Sequence, residues 1–174
     1  MQETQLIIQP LEAEIEKCRK CLMSKCRRHV VIHRGSKHPV ILLIGEAPGK
    51  YEDLNSIPFC GPSGKLLDKK IKEFGLPEHA MINVVKCRPT DAGGQNRPPT
   101  DEEIHNCLPF LKEQIDLLAP KIIVAVGKVA FRVLSENAYD SIYLIHPSAC
   151  LRKPELVEIM DKHMKKIKEK VGNI

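Results

Sequence analysis

Hydrophobic positions alternate between two periods along this chain. "PVILLIGE" (39–46) is a continuous apolar run that stops at a glycine, the signature of a strand buried on both faces. "SGKLLDKKIKEFGL" has helical spacing: Leu66, Leu67, Ile71 and Phe74 share a face and Gly75 is a stop signal. "AMINVVKC" (80–87) reads as the next strand and "DAGGQNRPP" as a loop. "TDEEIHNCLPFLKEQIDLLAP" is a helix opened by a Thr100–Glu103 capping box, with a kink expected at Pro109. "KIIVAVG", "KVAFRVLSEN", "SIYLIHPS" and "KPELVEIMDKHMKKIKEKV" continue as strand, helix, strand and helix. Residues 9–26 read as a first helix ending in cysteines.

Strands alternating with helices predict an α/β fold, a parallel sheet with helices on both faces. Ligands of such sheets bind outside the carboxyl ends of the strands. The groups after Ile44, around Asn83, after Gly127 and at His146 are therefore expected along one edge. No repeat or low-complexity segment divides the 174 residues, so one domain over 1–174 is expected.

Composition narrows the class. Apolar residues make up 43% and charged residues 28%, as in a soluble globular chain, and no apolar run reaches membrane-spanning length. With no secretory pattern at the N-terminus, a cytoplasmic location is expected. The net charge of +5 permits a polyanionic partner without demanding one. Five lysines lie in the tail, at Lys162, Lys165, Lys166, Lys168 and Lys170, and read first as a solvated helix face.

Seven cysteines, an odd number, argue against a complete disulfide framework. Cys18 and Cys21 form a C-x-x-C. Joined with the distant Cys87 and Cys107, they suit a four-thiolate site for zinc or an iron–sulfur cluster. The competing reading is a C-x-x-C redox pair with two ordinary buried thiols, and Cys26 is an alternative ligand. Cys60 and Cys150 read as packing thiols.

Three segments taken together, "GEAPGKYEDLNSIPFCGPSGKLLD", "NVVKCRPTDAGGQNRPPTDEEIHNCLPFLKEQIDLLAPKIIVAVG" and "HPSACLR", resemble the family 4 uracil-DNA glycosylases. These are the iron–sulfur branch of their superfamily, and the resemblance runs from Cys18 to about Arg152. It implies a three-layer α/β/α sandwich with a four-stranded parallel sheet. It also implies a [4Fe–4S] cluster on Cys18, Cys21, Cys87 and Cys107, a monomer, and uracil-containing DNA as the partner.

The implied roles suit the residue types. A base inside a duplex must be extruded to be reached. Phe59 offers a stacking face, and the amide of Asn83 matches uracil O4 and N3–H while rejecting cytosine. His146 is the donor to the charge growing on uracil O2. Glu46 serves the sugar side, from a register one position off the superfamily branch that carries "GQDPY". Glu52 and Asp53 organise the loop or line the pocket, with catalytic help open to Glu52. Gly45, Gly49, Gly61 and Gly64 are expected to permit tight turns and the close approach of a phosphate backbone. Ser63, Lys65, Arg88, Ser148, Leu151 and Arg152 are placed against DNA or the substrate, with Lys86 and Arg97 as further phosphate neutralisers.

Two departures stand out. Only 18 residues separate Gly127 from His146, a shorter connection than the family's, which implies a trimmed surface facing DNA or a narrower substrate range. Ser56 stands where the family has glycine, which implies a stiffer or shifted loop. A covalent variant would need a histidine between Arg88 and Ile104, and none is present. A shifted base preference, for hypoxanthine or xanthine, and a catalytically weak iron–sulfur DNA-binding module remain as alternatives.

Overall fold

A computed structural model describes residues 2–174. The centre is a sheet in which four strands run parallel: β2 (Ile41–Gly45), β3 (His79–Asn83), β4 (Ile122–Val126) and β5 (Ile142–Leu144). A two-residue strand, β1 (Arg34–Gly35), pairs antiparallel with β3, so the order is β1-β3-β2-β4-β5. The expected all-parallel sheet of four strands is thus a mixed sheet of five. "HRGSKH" carries no apolar run, because an edge strand of two residues needs none.

Alternation along β2 shows how the layers form. Leu42 and Ile44 face one side, with Ala80, Ile82 and Ala125, beneath helices α5 (Asp101–Leu118) and α6 (Lys128–Glu136). Ile41 and Leu43 face the other, with Met81 and Val124, beneath α4 (Pro62–Phe74) and α8 (Val157–Gly172). Both faces are covered, which is why β2 is apolar throughout. Leu67 and Ile71 of α4 are buried as its spacing predicted, and Gly75 ends that helix at φ +60°. No helix among the described residues is long and apolar enough to cross a membrane.

Several boundaries differ from expectation. The first helix, α1, spans Gln2–Lys17, with Pro10 inside it, and a separate turn α2 covers Met23–Cys26. The chain breaks between them where the cysteines turn inward. Strand β3 ends at Asn83, although the apolar run continues to Val85. Val84 and Val85 still donate to the carbonyls of Gly45 and Glu46, but off the regular ladder. The helix α5 runs on through Pro109. Two short helices beside the strand ends, α3 (Lys50–Asn55) and α7 (Pro147–Arg152), have too few residues to show a period in the sequence. The last helix starts at Val157, after a 3-10 turn at Pro154–Leu156.

Candidate functional site

Strand β2 leads leftward to β3, and β4 leads rightward to β5. A crevice therefore opens where the connections diverge. A cavity of about 520 Å³ lies there, lined by Glu46 after β2, Asn83 at the end of β3, Gly127 after β4 and His146 after β5. Phe59, Glu52, Ser63, Ser148 and Arg152 complete much of its wall.

Phe59 and Asn83 meet over Gly45. A Cβ at residue 45 would stand 2.5 Å from both Phe59 Cζ and Asn83 Oδ1. Gly45 is required because two pocket side chains close on it. Gly64 likewise accommodates the Phe59 carbonyl, which would lie 1.7 Å from a Cβ there. Close packing by the protein's own groups requires glycine at both positions. Asn83 is 3% exposed, pairs in register with Gly45, and its amide has no hydrogen-bond partner among the described residues. A buried amide facing a cavity without a partner is suited to a ligand with complementary donors and acceptors.

His146 caps the N-terminus of α7. Its Nδ1 accepts the Ser148 backbone N–H at 3.1 Å and lies 2.8 Å from Ser148 Oγ. An accepting Nδ1 carries no proton, so the neutral ring bears it on Nε2. Burial, with Arg152 nearby, pushes the imidazole pKa down to about 4. His146 is thus an uncharged N–H donor at neutral pH. Burial raises the pKa of the Glu46 carboxyl above its ordinary value. The cavity therefore holds a neutral donor on one side and a carboxylate of increased basicity on the other.

Glu52 and Asp53 are structural ties. The Glu52 carboxylate accepts the N–H groups of Gly49 (3.0 Å) and Gly61 (2.9 Å), closing the loop around the pocket. With both oxygens so committed, it organises the loop while lining the cavity. Asp53, 5% exposed, accepts from the N–H groups of Arg28 and His29, tying α3 to the cysteine segment. Ser56 occupies the left-handed region at φ +57°, where glycine would be at ease, and its hydroxyl donates to the Val30 carbonyl at 2.6 Å. That bond offsets the backbone cost and anchors the loop.

The cationic rim is narrower than expected. Arg97 lines the cavity, but both its outer nitrogens bond Glu103, at 2.7 and 2.6 Å. Arg88 bonds Asn96 and the Gly94 carbonyl, stitching the 88–97 loop. Lys86 is 1% exposed and donates to the Asn83 carbonyl, so it reaches no phosphate. Lys65 and the half-exposed Leu151 lie outside the cavity lining, while Arg152 and Lys128 belong to it.

Cys18, Cys21, Cys87 and Cys107 surround a second, small cavity beside Lys86 and Arg27. Cys26 is exposed and apart from it. No three metal-binding side chains among the described residues are close enough for one ion. Four thiolates on a single zinc would stand only about 3.8 Å apart; a cluster of several irons spreads them wider. Arg27 donates to Cys87 Sγ at 3.0 Å, and the buried Lys86 has no carboxylate partner among the described residues. Two cations without an acid beside four thiols suit a site of net negative charge. Burial pushes the Cys87 thiol up to about 11 and raises that of Cys107.

Comparison with known proteins agrees with this geometry. Residues 32–172 match the model of the uracil DNA glycosylase superfamily. The chain belongs to that superfamily. Curated relatives include a type-4 uracil-DNA glycosylase of Sulfurisphaera tokodaii, 36% identical over 93% of this chain and 84% of that protein. Another, from Archaeoglobus fulgidus, is 34% identical over 91% of the chain and 90% of its own length. The superfamily match begins at Ile32, beyond Cys18 and Cys21, whereas these relatives span nearly the whole chain.

Within this superfamily member, part of the cavity lining carried no signal in the sequence: Pro89, Asn96, Pro98, Lys128 and Val129. The "NRPP" of the loop carried no chemical signal beyond its arginine. Its position follows from the Arg97–Glu103 pairing, which folds the loop onto the start of α5.

Proposed function

We propose that this chain removes uracil from DNA by hydrolysing the N-glycosidic bond, as the names of its relatives suggest. The observation that carries the reading is a neutral His146 facing the same cavity as Asn83, Phe59 and Glu46. An extruded uracil stacks on Phe59. The Asn83 amide donates to O4 and accepts from N3–H, a pairing cytosine cannot make. As the bond from C1′ to N1 breaks, its electron pair moves onto the base, and His146 Nε2–H donates to the charge growing on O2. Glu46, on the sugar side, stabilises the cationic sugar and orients the water that adds to C1′. Uracil leaves as an anion, which water protonates, and an abasic site remains.

Ser63, Lys65, Arg88, Ser148, Leu151 and Arg152 would serve the DNA strand around the cavity mouth. Cys18, Cys21, Cys87 and Cys107 would hold a [4Fe–4S] cluster. When bound it supplies a cross-link between α1, the loop after β3 and α5. The test is release of uracil from a uracil-containing duplex under single-turnover conditions. Release of the base with an alkali-labile site is expected, and intact product strands would overturn the reading.

A further inference from the structure

Phe59 is held in a conformation that its side chain disfavours. Its φ is +53°, in the left-handed region that bulky residues rarely adopt. Its ring is nonetheless buried against the cavity floor, 6% exposed. Two contacts keep it there. Gly64, in the first turn of α4, lets that helix press against the Phe59 carbonyl. From the opposite side Arg34 Nη1 donates to the same carbonyl at 2.9 Å, while its Nη2 donates to Asp68 Oδ2 at 2.8 Å.

Arg34 comes from β1 and Asp68 from α4, so one rigid guanidinium joins edge strand, helix and loop. The carbonyl belongs to the residue whose ring touches Gly45 and adjoins Asn83. Rotation about that backbone would move a ring that lines the cavity.

We propose that Arg34 is a positioning residue for base recognition: with Asp68 it clamps the Phe59 carbonyl and so sets the aromatic face on which the extruded pyrimidine stacks. This rests on the reading of Phe59 as the stacking residue. Arg34 is absent from the cavity lining, so it acts through Phe59 and does not touch the base.

Inhibition of excision by free uracil reports the stacking face, and affinity for an abasic-site duplex reports the DNA surface. Arg34→Ala should raise the uracil inhibition constant about tenfold, the scale of one strained backbone conformation released. Abasic-duplex affinity should stay unchanged. Asp68→Asn should shift uracil inhibition in the same direction by less, and Arg34→Lys, which keeps one donor, should recover part of it. Those two variants carry the test if Arg34→Ala does not fold. Lowered thermal stability with unchanged uracil inhibition would overturn the clamp and leave Arg34 a structural ion pair. Phe59→Leu separates the premises. If it leaves uracil inhibition unchanged, the stacking reading fails and the clamp with it. If it weakens inhibition and the Arg34 and Asp68 variants do not, only the clamp fails.

Discussion

At the residue scale the chemistry depends on which nitrogen of His146 carries its proton. The Ser148 N–H assigns Nδ1 as acceptor, and burial keeps the ring neutral. A preorganised donor of this kind is worth roughly 3–4 kcal/mol in the transition state. His146→Ala should therefore slow single-turnover excision by about a hundred- to a thousand-fold, with little change in affinity for uracil-containing duplex. A matching loss of affinity would mean that His146 binds the nucleotide and does not act on the leaving group. The pH dependence follows from the directions of the shifts. The folded pKa of His146 is depressed to about 4 from 6.5, so its contribution to stability is full above 6.5 and is lost as pH falls toward 4. His146→Asn should flatten the fall in melting temperature across that window. Glu46 is raised, so the acid limb of the excision rate should lie above the ordinary carboxylate range. Glu46→Gln should abolish that limb; a limb that persists would have another owner.

At the element scale, the start of α5 shows how a local signal acquires a second task. Thr100 and Glu103 form the capping box read from the sequence. Glu103 also takes both outer nitrogens of Arg97, and this seats Asn96, Arg97 and Pro98 on the cavity wall. Arg97 holds the Glu103 carboxyl below its ordinary value, so the pair stabilises the fold above the unfolded pKa of Glu103 and the contribution is lost as pH falls through the lowered one. Glu103→Gln should cost about 1–3 kcal/mol in urea unfolding at neutral pH. The difference from the parent should shrink in acid. An equal cost at both pH values would show that shape, not charge, holds the loop. The capping box was legible because its residues lie three apart. The Arg97 pairing was not, since an arginine in a loop has many acids to choose from.

At the scale of the whole molecule, the four cysteines of the proposed cluster come from parts far apart in the chain. Cys18 and Cys21 follow α1, Cys87 lies beyond β3, and Cys107 sits within α5. Asp53 extends that link to the pocket by binding the N–H groups of Arg28 and His29. Cys107→Ala should therefore lose iron from the purified protein and its broad visible absorption, and lower the melting temperature. The strand-end residues would stay in place, because β2, β3 and β4 hold them. Full iron content in that variant would exclude Cys107 as a ligand, and Cys26 would be the next to test.

The sequence by itself determined the parallel strands, the main helices and the residues at the strand ends. Each rests on a local regularity: an apolar run, a helical period, or a polar residue directly after a strand. The strand-end rule picked out Glu46, Asn83 and His146, and the family resemblance added Phe59 and the roles expected of all four. Tertiary structure decided what those regularities cannot encode. It added β1, too short for any period. It assigned Glu52 and Asp53 to backbone N–H groups and buried Lys86. It paired Arg97 with Glu103 and left Arg152 at the cavity. The physical reason is common to all of these. A charged side chain's role is set by which partner lies within about 3 Å, and residues far apart in the chain reach that distance only when the sheet and its helices have closed.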